Sequence, residues 1–254
     1  MIGVSCTQFA VTDPDTIWEE ASKHFGHWEI FSEWKNEVSK MAGSFNEKKA
    51  SYNMTYSIHA PITDVNIAAL NDRIREAAVE DMIKTMECAS RMEIETITVH
   101  PGIYSMVLTG VKEESIANAK HSLKVMEKAA NNLGVRLAVE NMPSFMIMMG
   151  QTPDELSHLI DGTDLKICFD IGHANTMGRI DEFIERFSKQ RIANIHIHDN
   201  LGDRDSHMTI GDGNIDFVKV LSKLKGYKGN YIIEAKSMAS AVESKKKLEK
   251  LLSF

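Results

Sequence analysis

Short runs of apolar and β-branched residues recur along the chain, each followed by a stretch with helical spacing. The runs cover residues 2–7, 28–31, 56–59, 96–100, 136–140, 166–170, 194–198 and 231–234. Runs that are apolar at successive positions suit strands buried on both faces of a parallel sheet. Between them, residues 68–92 place Leu70, Ile74, Ala77, Ala78, Met82 and Met86 at i, i+3 and i+4 steps. Residues 111–133 do the same with Ile116, Ala119, Leu123, Met126 and Ala130, and Gly134 follows where a helix C-cap belongs. Thr152 and Pro153 read as the N-cap and first position of another helix. A further helix is expected over residues 36–51.

Strand and helix alternating eight times predict a (β/α)8 TIM barrel. No Pro/Gly/Ser-rich linker divides the chain, so residues 1–254 read as one domain. An open doubly wound sheet is the competing arrangement. It would usually carry a Gly-rich phosphate turn after its first strand, and Ser5-Cys6-Thr7-Gln8 is not one.

Polar residues interrupt the pattern at one place in each unit, the C-terminal end of the strand. His59, His100 and Glu140 end the third, fourth and fifth strands. Asp170 ends the sixth, with His173 just beyond it. The seventh supplies His196 and His198, and its loop Asp205 and His207; the eighth supplies Glu234. In a barrel these ends share one mouth. A lone histidine after a strand is usually a hydrogen-bonded loop residue, and a lone buried glutamate is usually paired. Several carboxylates buried side by side need cations. Mixed His/Asp/Glu sets poor in cysteine suit zinc or manganese in an open, catalytic site. His198 and Glu33 also sit at strand ends, with an expected role facing substrate. His24, His27, His121 and His158 cluster with nothing and read as surface or packing residues.

Composition narrows the partners. The net charge of −7 gives no overall basic footprint for nucleic acid, although a local patch would suffice. The three cysteines, Cys6, Cys88 and Cys168, have no CxxC spacing and fit a reducing compartment. No apolar run approaches the ~20 residues of a membrane span, and the start lacks a signal-peptide pattern. The expectation is a soluble cytoplasmic protein with no membrane association and no protein partner implied. Gly211-Asp212-Gly213 reads as a turn into a helix near Asp216. The Met-rich segment 142–150 reads either as a lid over the mouth or as packing. The Lys-rich segment 245–250 reads as the solvated face of the last helix.

"HAP" at His59, "HPG" at His100, "EN" at Glu140, "DIGH" at Asp170, "HIHD" at His196, "DSH" at Asp205 with "GDGNID" after it, and "IIE" at Glu234 together resemble the xylose isomerase-like TIM-barrel superfamily, also called AP endonuclease family 2. The resemblance runs over nearly the whole chain, and two branches of the superfamily bear on it. The ligand pattern is most similar to endonuclease IV, the apurinic/apyrimidinic endonuclease. It implies up to three Zn²⁺ ions: one on His59, His100 and Glu140; one on Glu140, Asp170, His196 and Glu234; one on His173, Asp205 and His207. It also implies a phosphoester hydrolase acting on abasic-site DNA, with Glu140, Glu234 and His173 in the catalytic machinery. The second branch, sugar and sugar-phosphate isomerases and epimerases, implies a single Mn²⁺, Mg²⁺ or Zn²⁺ ion on Glu140, Asp170, His196 and Glu234. In that branch Glu140 and Glu234 are acid and base, and His173 touches the sugar. The chain is shorter than typical endonuclease IV, and Ile62 stands where the repair enzymes carry an aromatic residue.

Overall fold

The computed structural model describes residues 1–105 and 107–253. The strands are β1 (Ile2–Ser5), β2 (His27–Phe31), β3 (Thr55–His59), β4 (Thr96–Val99), β5 (Arg136–Glu140), β6 (Lys166–Asp170), β7 (Ile192–Ile197) and β8 (Asn230–Glu234). They pair in sequence order, all parallel, and β8 closes on β1 with Ile2 opposite Tyr231. The expected (β/α)8 barrel is therefore what forms. The helices are α1 (Pro14–Ser22), α2 (Val38–Met41), α3 (Phe45–Lys49), α4 (Asp72–Arg91), α5 (Lys112–Leu133), α6 (Pro153–Leu159), α7 (Ile171–Thr176), α8 (Ile180–Arg186), α9 (Phe217–Lys223) and α10 (Met238–Leu252). Among the described residues no helix is long and apolar enough to cross a membrane.

Local chemistry explains most of the boundaries. Gly134 takes the left-handed conformation (φ 69°) that ends α5. Thr152 Oγ1 accepts from Glu155 N–H and starts α6 with Pro153 at its first position. The helix expected from residue 68 begins only at Asp72, because Asn71 caps it through bonds from Arg73 and Ile74 N–H. The helix expected over residues 36–51 divides into α2 and α3, with a turn at Gly43 between them. Strand β1 stops at Ser5 and gives way to a 3₁₀ turn over Thr7–Val11. Strand β7 starts at Ile192, which leaves His198 just past its end.

Register sets the rim of the barrel. Phe31 lies opposite His59, Glu140 opposite Cys168, Asp170 opposite His196, and Ser5 opposite Glu234. The strand-terminal polar residues are thus brought to one level around one mouth. Outside the barrel, Trp18 of α1 packs edge-on against Trp28 at 5.4 Å and donates to Tyr56 Oη at 3.0 Å. Inside it, the layer below the rim is polar. Asn194 of β7 donates to Glu29 of β2 and to Thr98 of β4, both at 3.0 Å. These strands are not neighbours, so the bonds must cross the barrel interior. His27, expected to be a packing residue, lies lower in the same interior and bonds Thr55 Oγ1 and Ser57 Oγ.

Candidate metal centre

Glu140, the last residue of β5, stands at the middle of the mouth and is 1% exposed. Its Oε2 lies 3.3 Å from His59 Nε2 and 3.1 Å from His100 Nε2, while its Oε1 lies 2.7 Å from His196 Nδ1. His59 donates Nδ1–H to Ala60 O, which turns its Nε2 toward the carboxylate. Glu234 Oε1 approaches the same His196 nitrogen at 3.3 Å, and Asp170 Oδ2 at 3.9 Å. Beyond them, Asp205 Oδ2 lies 3.4 Å from His173 Nε2 and 3.0 Å from His207 Nε2.

Three ligand groups result, and within each the donor atoms lie within 4.8 Å of one another: His59, His100, Glu140; Glu140, Asp170, His196, Glu234; and His173, His198, Asp205, His207. All the residues expected as ligands are therefore brought together; Glu140 belongs to two of these groups and to a fourth, with Cys168 and His196. Cys168 is a neighbour of Glu140 and His196 that the motifs did not single out.

The donor set fits divalent cations. Asp170 Oδ2 is buried with no hydrogen-bond partner, and both ring nitrogens of His198 are equally unpartnered. Polar atoms orphaned in an interior need a counterpart. Neither lysine nor arginine pairs with Glu140, Asp170, Asp205 or Glu234, whose cationic partners are all histidines. Burial works to raise the Glu140 carboxyl, yet the His196 charge and bonds from His100, His196 and His59 hold it well below the usual carboxylate range. Burial works to lower His196, yet the acidic groups around it, Glu234, Glu29 and Glu140 among them, lift it well above an ordinary histidine. Against the effect of burial, the carboxylates around them also raise His59, His173 and His198, whereas burial prevails at His100 and lowers it. Glu234 moves the other way from Glu140, raised by burial and by neighbouring carboxylates against the pull of His196 and His207.

Second contacts set these side chains. Asn141 and Asp170 clamp each other, Asn141 Nδ2 to Asp170 O at 2.9 Å and Asp170 N to Asn141 Oδ1 at 2.8 Å. Asp170 Oδ1 caps α7 by accepting His173 N–H, and His173 Nδ1 is held 2.8 Å from Asn141 O. The loop bearing Asp205 and His207 is tied to Asp199, whose carboxylate accepts four backbone N–H bonds, from Asn200, Gly211, Gly213 and Ile215. His207 sits at φ 42°, a left-handed conformation costly for a histidine and held by that loop.

Two residues expected to face substrate behave differently. His198 is fully buried, stacks on His207 at 4.2 Å and joins the third ligand group. Glu33 is not brought to the cluster; its Oε1 accepts Ile62 and Thr63 N–H at 2.7 Å each and fastens the loop after β3. The Met-rich segment divides: Met142 and Met149 are buried packing, whereas Met146 at its tip is 89% exposed. Sequence reasoning missed Glu29, Asn194 and Asp199. The signal for Glu29 was there, a charged residue in the middle of the apolar strand "HWEIF".

A cavity of about 140 Å³ opens onto the centre, with Cys6, Phe31 and Ile62 forming apolar wall and no lysine or arginine among its lining residues. The model of the xylose isomerase-like TIM barrel family matches residues 19–254. The chain belongs to that family. Among its relatives is an uncharacterised protein of Methanocaldococcus jannaschii, 37% identical over 98% of this chain and 88% of its own length. A probable endonuclease 4 of Thermoplasma volcanium is 27% identical over 63% of this chain and 60% of its own. A solved structure described as a D-tagatose 3-epimerase-like protein superposes with a TM-score of 0.94 at 35% identity, over 100% of this chain and 97% of that one. The chain is thus similar both to a probable endonuclease and to a protein described as epimerase-like.

Proposed function

We propose that the protein is a divalent-metal-dependent phosphoester hydrolase with a multinuclear centre. The observation that carries this reading is the two-sided Glu140, which offers one oxygen to the His59/His100 side and the other to the His196 side. A carboxylate shared in this way is suited to bridging two ions, and the mixed His/carboxylate set is suited to zinc. His59, His100, Glu140, Asp170, His173, His196, Asp205, His207 and Glu234 would hold up to three ions. Bound there, the ions would lower the pKa of water and neutralise phosphate charge.

The chain's own residues do the rest. The Glu140 carboxylate fixes the spacing of its two histidine groups. The hydrogen bond from His173 to Asn141 O and the contacts of Asp205 with His173 and His207 orient the third group. Phe31 and Ile62 narrow the cavity and limit water. With no lysine or arginine in its lining, a phosphoryl group entering it would rely on the metals and the site histidines for charge compensation.

The test begins with metal analysis of protein purified without chelators. The expected result is two or three divalent ions per chain, of which His207→Ala loses one together with most phosphodiesterase activity. Abasic-site DNA is assayed beside small phosphodiesters. One ion per chain, or full activity in His207→Ala, overturns the reading.

A second reading has its own support. Glu140 and Glu234 are pushed in opposite directions, as a base and acid pair requires. The superposable structure at 35% identity carries an epimerase-like description. On this reading a single Mn²⁺, Mg²⁺ or Zn²⁺ ion suffices for a small sugar or sugar phosphate. Glu234→Gln then abolishes exchange of solvent deuterium into the sugar, and the absence of any such exchange in the unaltered protein refutes it.

A further inference from the structure

Glu29 is completely buried in the middle of β2, opposite Ser57 of β3. Its Oε1 lies 2.6 Å from His196 Nε2, an ion-pair contact outside hydrogen-bond geometry, and has no hydrogen-bond partner. Its Oε2 is held from two other strands, by Ser57 Oγ at 2.7 Å and Asn194 Nδ2 at 3.0 Å. Asn194 spends its second amide hydrogen on Thr98 Oγ1 at 3.0 Å, so none is left for His196, whose Nε2 it approaches only to 3.4 Å. Among the described residues no lysine or arginine pairs with it. A carboxylate sunk this deep in a barrel costs far more than the branched aliphatic residue that usually fills such a position. Packing alone gives no reason for it.

From this geometry we infer that Glu29 is a positioning residue that fixes the tautomer of His196. A carboxylate oxygen at Nε2 can only accept, so with an ion in place of the Nδ1 proton that now meets Glu140 Oε1 at 2.7 Å, the remaining ring proton would stay on Nε2. The lone pair is then left on Nδ1, the nitrogen that faces Glu140, Glu234 and Asp170. Glu29 thereby directs His196 at that ligand group and increases the ring's donor strength, while Ser57 and Asn194 stop the carboxylate from rotating away. The inference rests on the metal-binding reading above.

Glu29→Gln tests it with little change of shape. Ser57 and Asn194 both donate to Oε2, so the glutamine carbonyl oxygen takes that place and the amide NH₂ turns to His196. The ring must then accept at Nε2 and carry its proton on Nδ1, which blocks the ligating nitrogen. In chelator competition with zinc, one ion of the variant is expected to bind about 10- to 100-fold more weakly, with the ions on the other groups unchanged. A purely structural role would instead lower the urea midpoint of the metal-free protein and leave every affinity as it was. Long-range ¹⁵N–¹H spectra of the unaltered zinc-loaded protein need no variant. They should show His196 protonated at Nε2 and metal-bound at Nδ1. Unchanged zinc affinity in Glu29→Gln, or coordination through Nε2, overturns the role of Glu29. Absence of zinc from the unaltered protein overturns the metal reading itself, which separates the two failures.

Discussion

Replacing Asp199 by alanine removes the acceptor that holds the loop of the third ligand group. Asp199 is fully buried; its Oδ1 accepts from Asn200 at 2.9 Å and Ile215 at 3.3 Å, and its Oδ2 from Gly211 at 2.8 Å and Gly213 at 3.0 Å. Hydrogen bonds to a charged group contribute about 1.5–3 kcal/mol each, and four such bonds do not add fully because water reaches part of an opened loop. A loss of about 3–5 kcal/mol for Asp199→Ala follows, near the upper end for one substitution. Asp199→Asn should lose about half as much, since its one carbonyl oxygen serves two of the donors and its NH₂ confronts the other two. Urea denaturation measures both. Metal analysis reports the second consequence, loss of the ion assigned to His173, Asp205 and His207, since Asp205 and His207 ride on this loop. An unchanged urea midpoint and full metal content in Asp199→Asn would refute the reasoning. Gly213→Ala checks it independently, because a Cβ there would lie 2.2 Å from Asp199 Oδ1 and 2.3 Å from Asn200 O.

Two further outcomes follow from the same geometry. A Cβ at Gly172 would sit 2.0 Å from His198 Cε1, so Gly172→Ala must displace that ring and, through its stacking, His207. A loss of about 1–3 kcal/mol is expected by urea denaturation, with weaker binding of one ion by calorimetry; a variant as stable as the parent with full zinc content counts against this. Burial lowers the pKa of His27 to about 4 from the ordinary 6.5. Below pH 6.5 the unfolded chain therefore takes up a proton that the native protein refuses, and stability falls until about pH 4, by on the order of 3 kcal/mol in all. Between neutral pH and about pH 4.5 the parent should lose about 2–3 kcal/mol more than His27→Gln in urea unfolding; equal losses would show that His27 is protonated in the fold.

The sequence alone was enough for the barrel and for the ring of polar residues at its mouth. Period and caps are local: Gly134 ends α5 and Thr152 opens α6 through bonds within a few residues. His59, His100, Glu140, Asp170, His196 and Glu234 were legible because each is a polar residue at the end of an apolar run, and a (β/α)8 barrel brings such ends together whatever its details. Only the tertiary structure decided that His198 joins His173, Asp205 and His207, and that Glu33 ties down a loop. The same holds for the residues beneath and beside the centre. Glu29 and Asn194 are 165 residues apart and meet only because the closed barrel sets β2 and β7 across one interior. Strands buried on both faces show little contrast between inward and outward positions, so nothing along the chain marks which side chains will meet there. Asp199 was hidden for a related reason: its four partners are backbone N–H groups, which every sequence carries and only a folded loop aims.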